Sequence, residues 1–262
     1  MILAGALVGL MAGGLIADNL IPADESVSAA GPNFSYRAQQ EVAFDAPAET
    51  DELPAWAENL TASMGMHTEY VWRGISQSDK DFAVSGDVTY TDESGISAGV
   101  WASSLGSAAA GAGGVTEIDA WIGYTVEEVI PDLDVTGWIM QYLYAGADAL
   151  NYVEIGADAT FQDFITGTVA FSSDLAGSGE SSVYIAGGVD HELNDDITAT
   201  GGVGMFQSDA FADDSYMHFY IGASTTAGPW TVDLTLHGTD DPSDTFADAG
   251  DTRIVLGLTA GF

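Results

Sequence analysis

Leu60-Thr61-Ala62-Ser63-Met64-Gly65-Met66-His67-Thr68-Glu69-Tyr70-Val71-Trp72-Arg73 is the stretch on which the fold class turns. Its apolar side chains fall on even positions and mostly polar or small ones on odd positions, the two-residue period of a strand rather than a helix. After Gly74-Ile75-Ser76-Gln77-Ser78-Asp79-Lys80-Asp81 the alternation resumes, with Phe82, Val84, Val88 and Tyr90 on one face and Ala83, Ser85, Asp87 and Thr89 on the other. The spacing predicts a long antiparallel hairpin, with strands running through Arg73 and from Phe82, whose two faces meet different media.

Working outward, the chain from residue 60 to 262 divides into about twelve alternating segments of the length a membrane strand needs. The predicted outward faces, such as Ile96, Ala98, Val100 and Ala102, or Ile254, Leu256, Leu258, Ala260 and Phe262, carry no charge. A soluble sandwich also alternates, but it tolerates charges and broken patterns at its edges, so uncharged faces throughout favour lipid. The links alternate too: short at 91–94, 127–132, 162–163, 191–196 and 226–229, longer at 74–81, 103–115, 145–150, 173–181, 207–215 and 238–251. Bacterial barrels have short periplasmic turns and longer outer loops. The expectation is an all-β, transmembrane, antiparallel up-and-down β-barrel of about 12 strands over residues 59–262, in the bacterial outer membrane, with both barrel ends in the periplasm. The glycine- and alanine-rich stretch 108–114 reads as a flexible loop tip.

The start of the chain is different. An apolar run from Ile2 to Ile16 is too short for a comfortable transmembrane helix and suits the core of a signal peptide spanning residues 1–29, with a buried helix as the alternative. Residues 30–58, with Pro32, Pro47 and Pro54 and the acidic Glu49-Thr50-Asp51-Glu52, read as a flexible periplasmic linker.

Forty acidic residues against four basic ones give a net charge of −36, while 47% of the 262 residues are hydrophobic, too many for an acidic disordered chain. Nucleic acid and anionic lipid surfaces are poor partners for that field, because both are bound through Lys and Arg that this chain largely lacks. Acids recur in almost every loop, which points to a halophilic, salt-adapted surface; a cation-attracting pore is the other origin of such a charge. Cysteine is absent, so neither disulfides nor thiolate metal sites are available.

The final strand ends on Phe262, with Gly257, Leu258 and Ala260 before it. This resembles the assembly signal of outer-membrane barrels, in which a terminal aromatic residue is read by the barrel assembly machinery; Val255 stands where that signal usually has a polar residue. Glu69-Tyr70-Val71-Trp72-Arg73-Gly74-Ile75-Ser76-Gln77-Ser78 is similar to the signature of the TorF-type porin family of proteobacterial outer-membrane proteins. Further blocks match at Gly99-Val100-Trp101-Ala102-Ser103, Glu117-Ile118-Asp119 with Gly123-Tyr124, and Tyr142-Leu143-Tyr144-Ala145-Gly146 with Asn151-Tyr152-Val153-Glu154. The resemblance implies a porin-like barrel and supplies no substrate.

The parity opposite the lipid face predicts a lumen lined by Glu69, Asp87, Glu117, Asp119, Glu154, Asp158 and Asp233, opposed by Arg73 and Arg253, with Trp101, Trp121, Tyr142 and Tyr144 among the aromatic residues on the same side. Acids and rings in a narrow lumen pass or hold cationic solutes through charge and cation–π contacts. The same residues also suit a filled barrel in which they hydrogen-bond one another. Arg73 is expected to pair with Glu69, Glu117 or Asp119 as a structural clamp, with contact to solute as the alternative.

Catalytic signals are weak. Asp190-His191, and His237 with Asp240-Asp241, are common turn combinations, and neither a Gly-x-Ser-x-Gly elbow nor a His-Glu-x-x-His helix occurs. The Asp-rich runs at 213–214 and 240–251 lack ordered calcium-loop spacing. The expected function is passive passage of small polar or cationic solutes, without catalysis, cofactor or metal; the alternative is a non-conducting barrel that presents surface loops. Outer-membrane lipid, the assembly machinery and small solutes are the expected partners.

Overall fold

The alternating stretches form fourteen strands in a computed structural model that describes residues 55–106, 116–211, 215–240 and 246–262. In chain order they are β1 (Leu60–His67), β2 (Val71–Trp72), β3 (Ile75–Ser76), β4 (Ala83–Thr91), β5 (Ile96–Ser104), β6 (Thr116–Ile130), β7 (Leu133–Ala145), β8 (Tyr152–Phe161), β9 (Ile165–Ser172), β10 (Ser182–Asn194), β11 (Ile197–Ser208), β12 (Ser215–Ala227), β13 (Trp230–Thr239) and β14 (Arg253–Gly261). Strands β4 to β14 pair antiparallel in chain order and β1 pairs with both β4 and β14, which closes a twelve-stranded barrel, while β2 and β3 pair only with each other. At the seam, Ala62 and Phe262 exchange both backbone bonds, the Phe262 N–H donating at 2.8 Å and the Ala62 N–H at 3.1 Å.

The two faces of the wall separate as the alternation requires. Ile122, Val203, Ile221, Leu234 and Ile254 point outward and are largely exposed, whereas their strand neighbours Asp119, Phe206, His218, Asp233 and Arg253 point inward and are buried. Large rings on the inner wall lie against glycines of adjacent strands. Trp121 pairs with Gly99 and Trp138 with Gly156, and a Cβ on either glycine would sit within 2.7 Å or less of the facing indole. Replacing such a glycine by a larger residue would push the ring into the lumen.

One expectation of the sequence is corrected. The first wall strand ends at His67 instead of continuing to Arg73. Thr68 makes the last main-chain bond of this strand to the wall, donating its N–H to the Leu256 carbonyl, and accepts the Leu256 N–H on Oγ1, both at 3.0 Å. The chain then leaves the wall, and residues 69–78 are all buried. They form the small hairpin β2–β3 inside the barrel, with Trp72 opposite Ile75 and Arg73-Gly74 at the turn. Both turn residues have positive φ, 46° and 82°, as a two-residue mirror-image turn demands. Alternation persists through this segment because β2 is itself a strand, but one that packs against the lumen on both faces.

Two short links are tighter than expected. β6 runs to Ile130 and β10 to Asn194, so residues 127–130 and 191–194 are strand rather than turn. Residues 1–54 and 107–115 lie outside the described residues, and with them the expected leader, most of the linker and the 108–114 loop tip.

Candidate functional site

The inner hairpin plugs the barrel end at which the longer links lie, and the side chains that hold it there are the principal polar cluster of the lumen. Its turn delivers Arg73 to Glu154 on β8 as a two-pronged ion pair, with Nη1 donating to Oε1 at 3.0 Å and Nη2 to Oε2 at 2.8 Å. This fork geometry suits guanidinium and carboxylate, and in a dry interior each charge needs the other. The guanidinium carbon also lies 4.1, 3.8 and 4.4 Å from the ring centroids of Trp72, Tyr184 and Phe206, within cation–π range. Tyr142 donates its hydroxyl to Glu154 Oε2 at 3.1 Å and stacks on Tyr152 with ring centroids 4.3 Å apart.

Two further tethers fix the plug. Tyr70 donates to Glu117 Oε2 at 2.7 Å, and Tyr144 donates to Oε1 of the same carboxylate at 2.9 Å. Glu69 pairs with Arg253, whose remaining donors go to the carbonyls of Asp248, Ala249 and Asp251 in the β13–β14 loop. Below the turn, Gly74 lies so close to β12 and β13 that a Cβ would sit 2.6 Å from His218 Cβ and 2.7 Å from Thr239 Cγ2. His218 shares a 2.9 Å hydrogen bond with the Tyr184 hydroxyl. Above the plug, Phe211, Tyr216 and Phe246 pack edge-on around one another at 5.1 to 5.5 Å, and Phe211 reaches Phe206 at 5.2 Å.

The expected lining residues therefore fall into distinct places. Glu69, Arg73, Glu117, Tyr142, Tyr144, Glu154 and Arg253 meet around the plug, with Trp101 against Tyr70 at 5.4 Å. Asp158 lies deeper, accepting from Trp138 Nε1 at 2.8 Å and Thr168 Oγ1 at 2.7 Å. Asp87 accepts the Ser63 hydroxyl, Asp233 faces Gly257 beside His67, and Trp121 is half-buried over Gly99. Asp119 is wholly buried, and neither of its carboxylate oxygens accepts a hydrogen bond. The partner expected for Arg73 is corrected: Glu154 takes the guanidinium, while Glu69 and Glu117 bind other groups of the plug and its surroundings. Phe206 and His218 were not singled out in the sequence, although each sits one residue from an outward-facing apolar neighbour and parity alone assigns both to the lumen. Of the residues in the weak catalytic pairs, His191 packs on Phe164 and Asp240 accepts the Met217 N–H, while Asp241 lies outside the described residues.

A closed antiparallel twelve-stranded wall, apolar outside, polar inside and entered by one of its own loops, defines a porin-type barrel. The chain belongs to the family described as "Bacterial protein of unknown function (Gcw_chp)", which matches residues 52–262. Among solved structures it is similar to the NanC porin, at TM-score 0.53 and 9% identity, covering 78% of this chain and 98% of that one. It is likewise similar to the KdgM porin in complex with disordered oligogalacturonate, at TM-score 0.51 and 8% identity over 78% and 98% of the respective chains. At these identities the likeness is one of fold. No curated protein matches the chain.

Proposed function

We propose that the protein is a porin-like channel of the bacterial outer membrane, of the TorF type, that passes small polar or cationic solutes. The observation that carries the reading is the set of charged, hydrogen-bonded side chains inside a lipid-facing barrel, where an inner loop and the mostly aromatic cluster packed around it obstruct the lumen. A purely structural barrel has no use for seven inward acids and two arginines where apolar packing would serve, since a buried pair is weak support for stability. The KdgM porin was solved with an acidic sugar oligomer; here acids outnumber arginines on the inner wall, so solutes of the opposite sign fit the field better. Both barrel ends lie at the short-link side, the periplasmic side in this reading, and Phe262 serves recognition by the assembly machinery.

The alternative of a non-conducting, loop-presenting barrel is favoured by one observation, the complete burial of residues 69–78. Planar-bilayer recording separates the two. The channel reading expects small unitary steps from the intact protein and markedly larger ones when 69–78 is replaced by a short Gly-Ser linker. If the shortened variant inserts and shows no steps, the channel reading fails.

A further inference from the structure

The surroundings of Arg73 amount to a fully built receptor for a cation. Three rings at 3.8 to 4.4 Å, a carboxylate oriented by the Tyr142 hydroxyl, and exclusion from water are the features by which proteins hold organic cations. The receptor walls belong to β7, β8, β10 and β11, with Trp72 from the plug, whereas the cation belongs to the plug alone. The plug delivers it with a left-handed backbone at Arg73, φ 46°, a conformation unfavourable for a residue with a side chain. A second observation shows that the neighbourhood is short of positive charge. Asp119, wholly buried with no donor on either oxygen, lies within electrostatic reach of Glu117 and Glu154, and the one guanidinium nearby is taken by Glu154. The tyrosines on Glu117 supply dipoles and no charge.

We propose that this box is a binding site for the guanidinium or alkylammonium group of a cationic solute, that Arg73 occupies it as a tethered ligand, and that an entering cation of this class exchanges with Arg73 and releases the plug. The inference rests on the channel reading for its purpose, but the site exists or fails independently of conduction. The exchange is non-covalent: Glu154 gives up one two-pronged partner for another, and the two wall rings, Tyr184 and Phe206, keep a cation against them throughout.

The test uses purified, detergent-folded barrel, with methylguanidinium as probe and methylurea as a neutral probe of the same shape. Arg73→Ala empties the box. The expected result is saturable quenching of tryptophan fluorescence by methylguanidinium, about ten-fold tighter than by methylurea, the ratio given by roughly 1.4 kcal/mol of ionic preference, and loss of that ratio on adding Glu154→Gln. Equal affinity for the two probes, or none for either, overturns the proposal. The unmodified protein supplies a measurement that needs no variant to fold: chymotrypsin cleavage at Trp72 becomes several-fold faster in methylguanidinium than in methylurea. Equal rates overturn the exchange. Binding without conduction in any variant removes the channel reading and leaves the site; conduction without binding removes the site alone.

Discussion

Arg73 and Gly74 share a turn that only one of them adopts easily. A left-handed backbone costs a non-glycine residue about 1–2 kcal/mol, so the Arg73 contacts with Glu154 and the three rings must exceed that penalty for the turn to hold. Gly74 meets two demands at once, φ 82° and contact with His218 and Thr239 closer than any Cβ tolerates. Gly74→Ala is therefore expected to lift the turn off β12 and β13, at about 1–3 kcal/mol for overpacking plus the backbone term. Trypsin reads this directly, because the chain carries only four Lys and Arg residues. Arg73 is 7% exposed and Lys80 48%, so the native protein should be cut at Lys80 and spared at Arg73, and the variant cut at both. Continued protection of Arg73 in Gly74→Ala would show that the turn absorbs a methyl group. Parity set Arg73 inward but would have set Tyr70 and Trp72 outward, and all three are buried because the segment has left the wall. The partner of Arg73 was not legible, since Glu154 lies 81 residues away and the choice among inward acids depends on how far the plug descends.

At the scale of the strand, the wall was legible and the plug was not. Each wall strand alternates lipid-facing and inward residues, so β12, with Met217, Phe219 and Ile221 outward and Tyr216 and His218 inward, is determined by its own sequence. The β2–β3 segment alternates in the same way, and a two-residue strand gives no length by which to distinguish lumen from wall. Its one local signal is Arg-Gly at the turn, a weaker hairpin mark than Asn-Gly or Asp-Gly. The lipid face itself can be tested with Ile221, which lies near the middle of β12 and is 60% exposed. Ile221→Arg in vesicles is expected to destabilise the barrel by about 2–4 kcal/mol, the cost of arginine at the bilayer midplane. Denaturant unfolding from lipid measures it. An unchanged midpoint would mean that this face sees water.

At the scale of the molecule, charge decides behaviour more than packing does. Seven inward acids and two inward arginines, of which Glu69 and Arg73 lie on the plug and the rest on the wall, leave five formal negative charges (7 − 2), in a chain whose net charge is −36. A low-dielectric wall focuses that field into the lumen. Salt shortens its reach from about 10 Å at 0.1 M to about 3 Å at 1 M. The expected result in a potassium chloride gradient is a reversal potential that favours potassium in dilute salt and falls toward zero in concentrated salt. A chloride preference at low salt would contradict this. The same molecule sets the order of events along its chain against the order in time. The plug is encoded after the first wall strand, yet the carboxylate and rings that receive it come from β8, β10 and β11, which leave the ribosome much later. Until those strands stand side by side, the guanidinium has nothing to dock against, so the segment synthesised nearly first is among the last to reach its place.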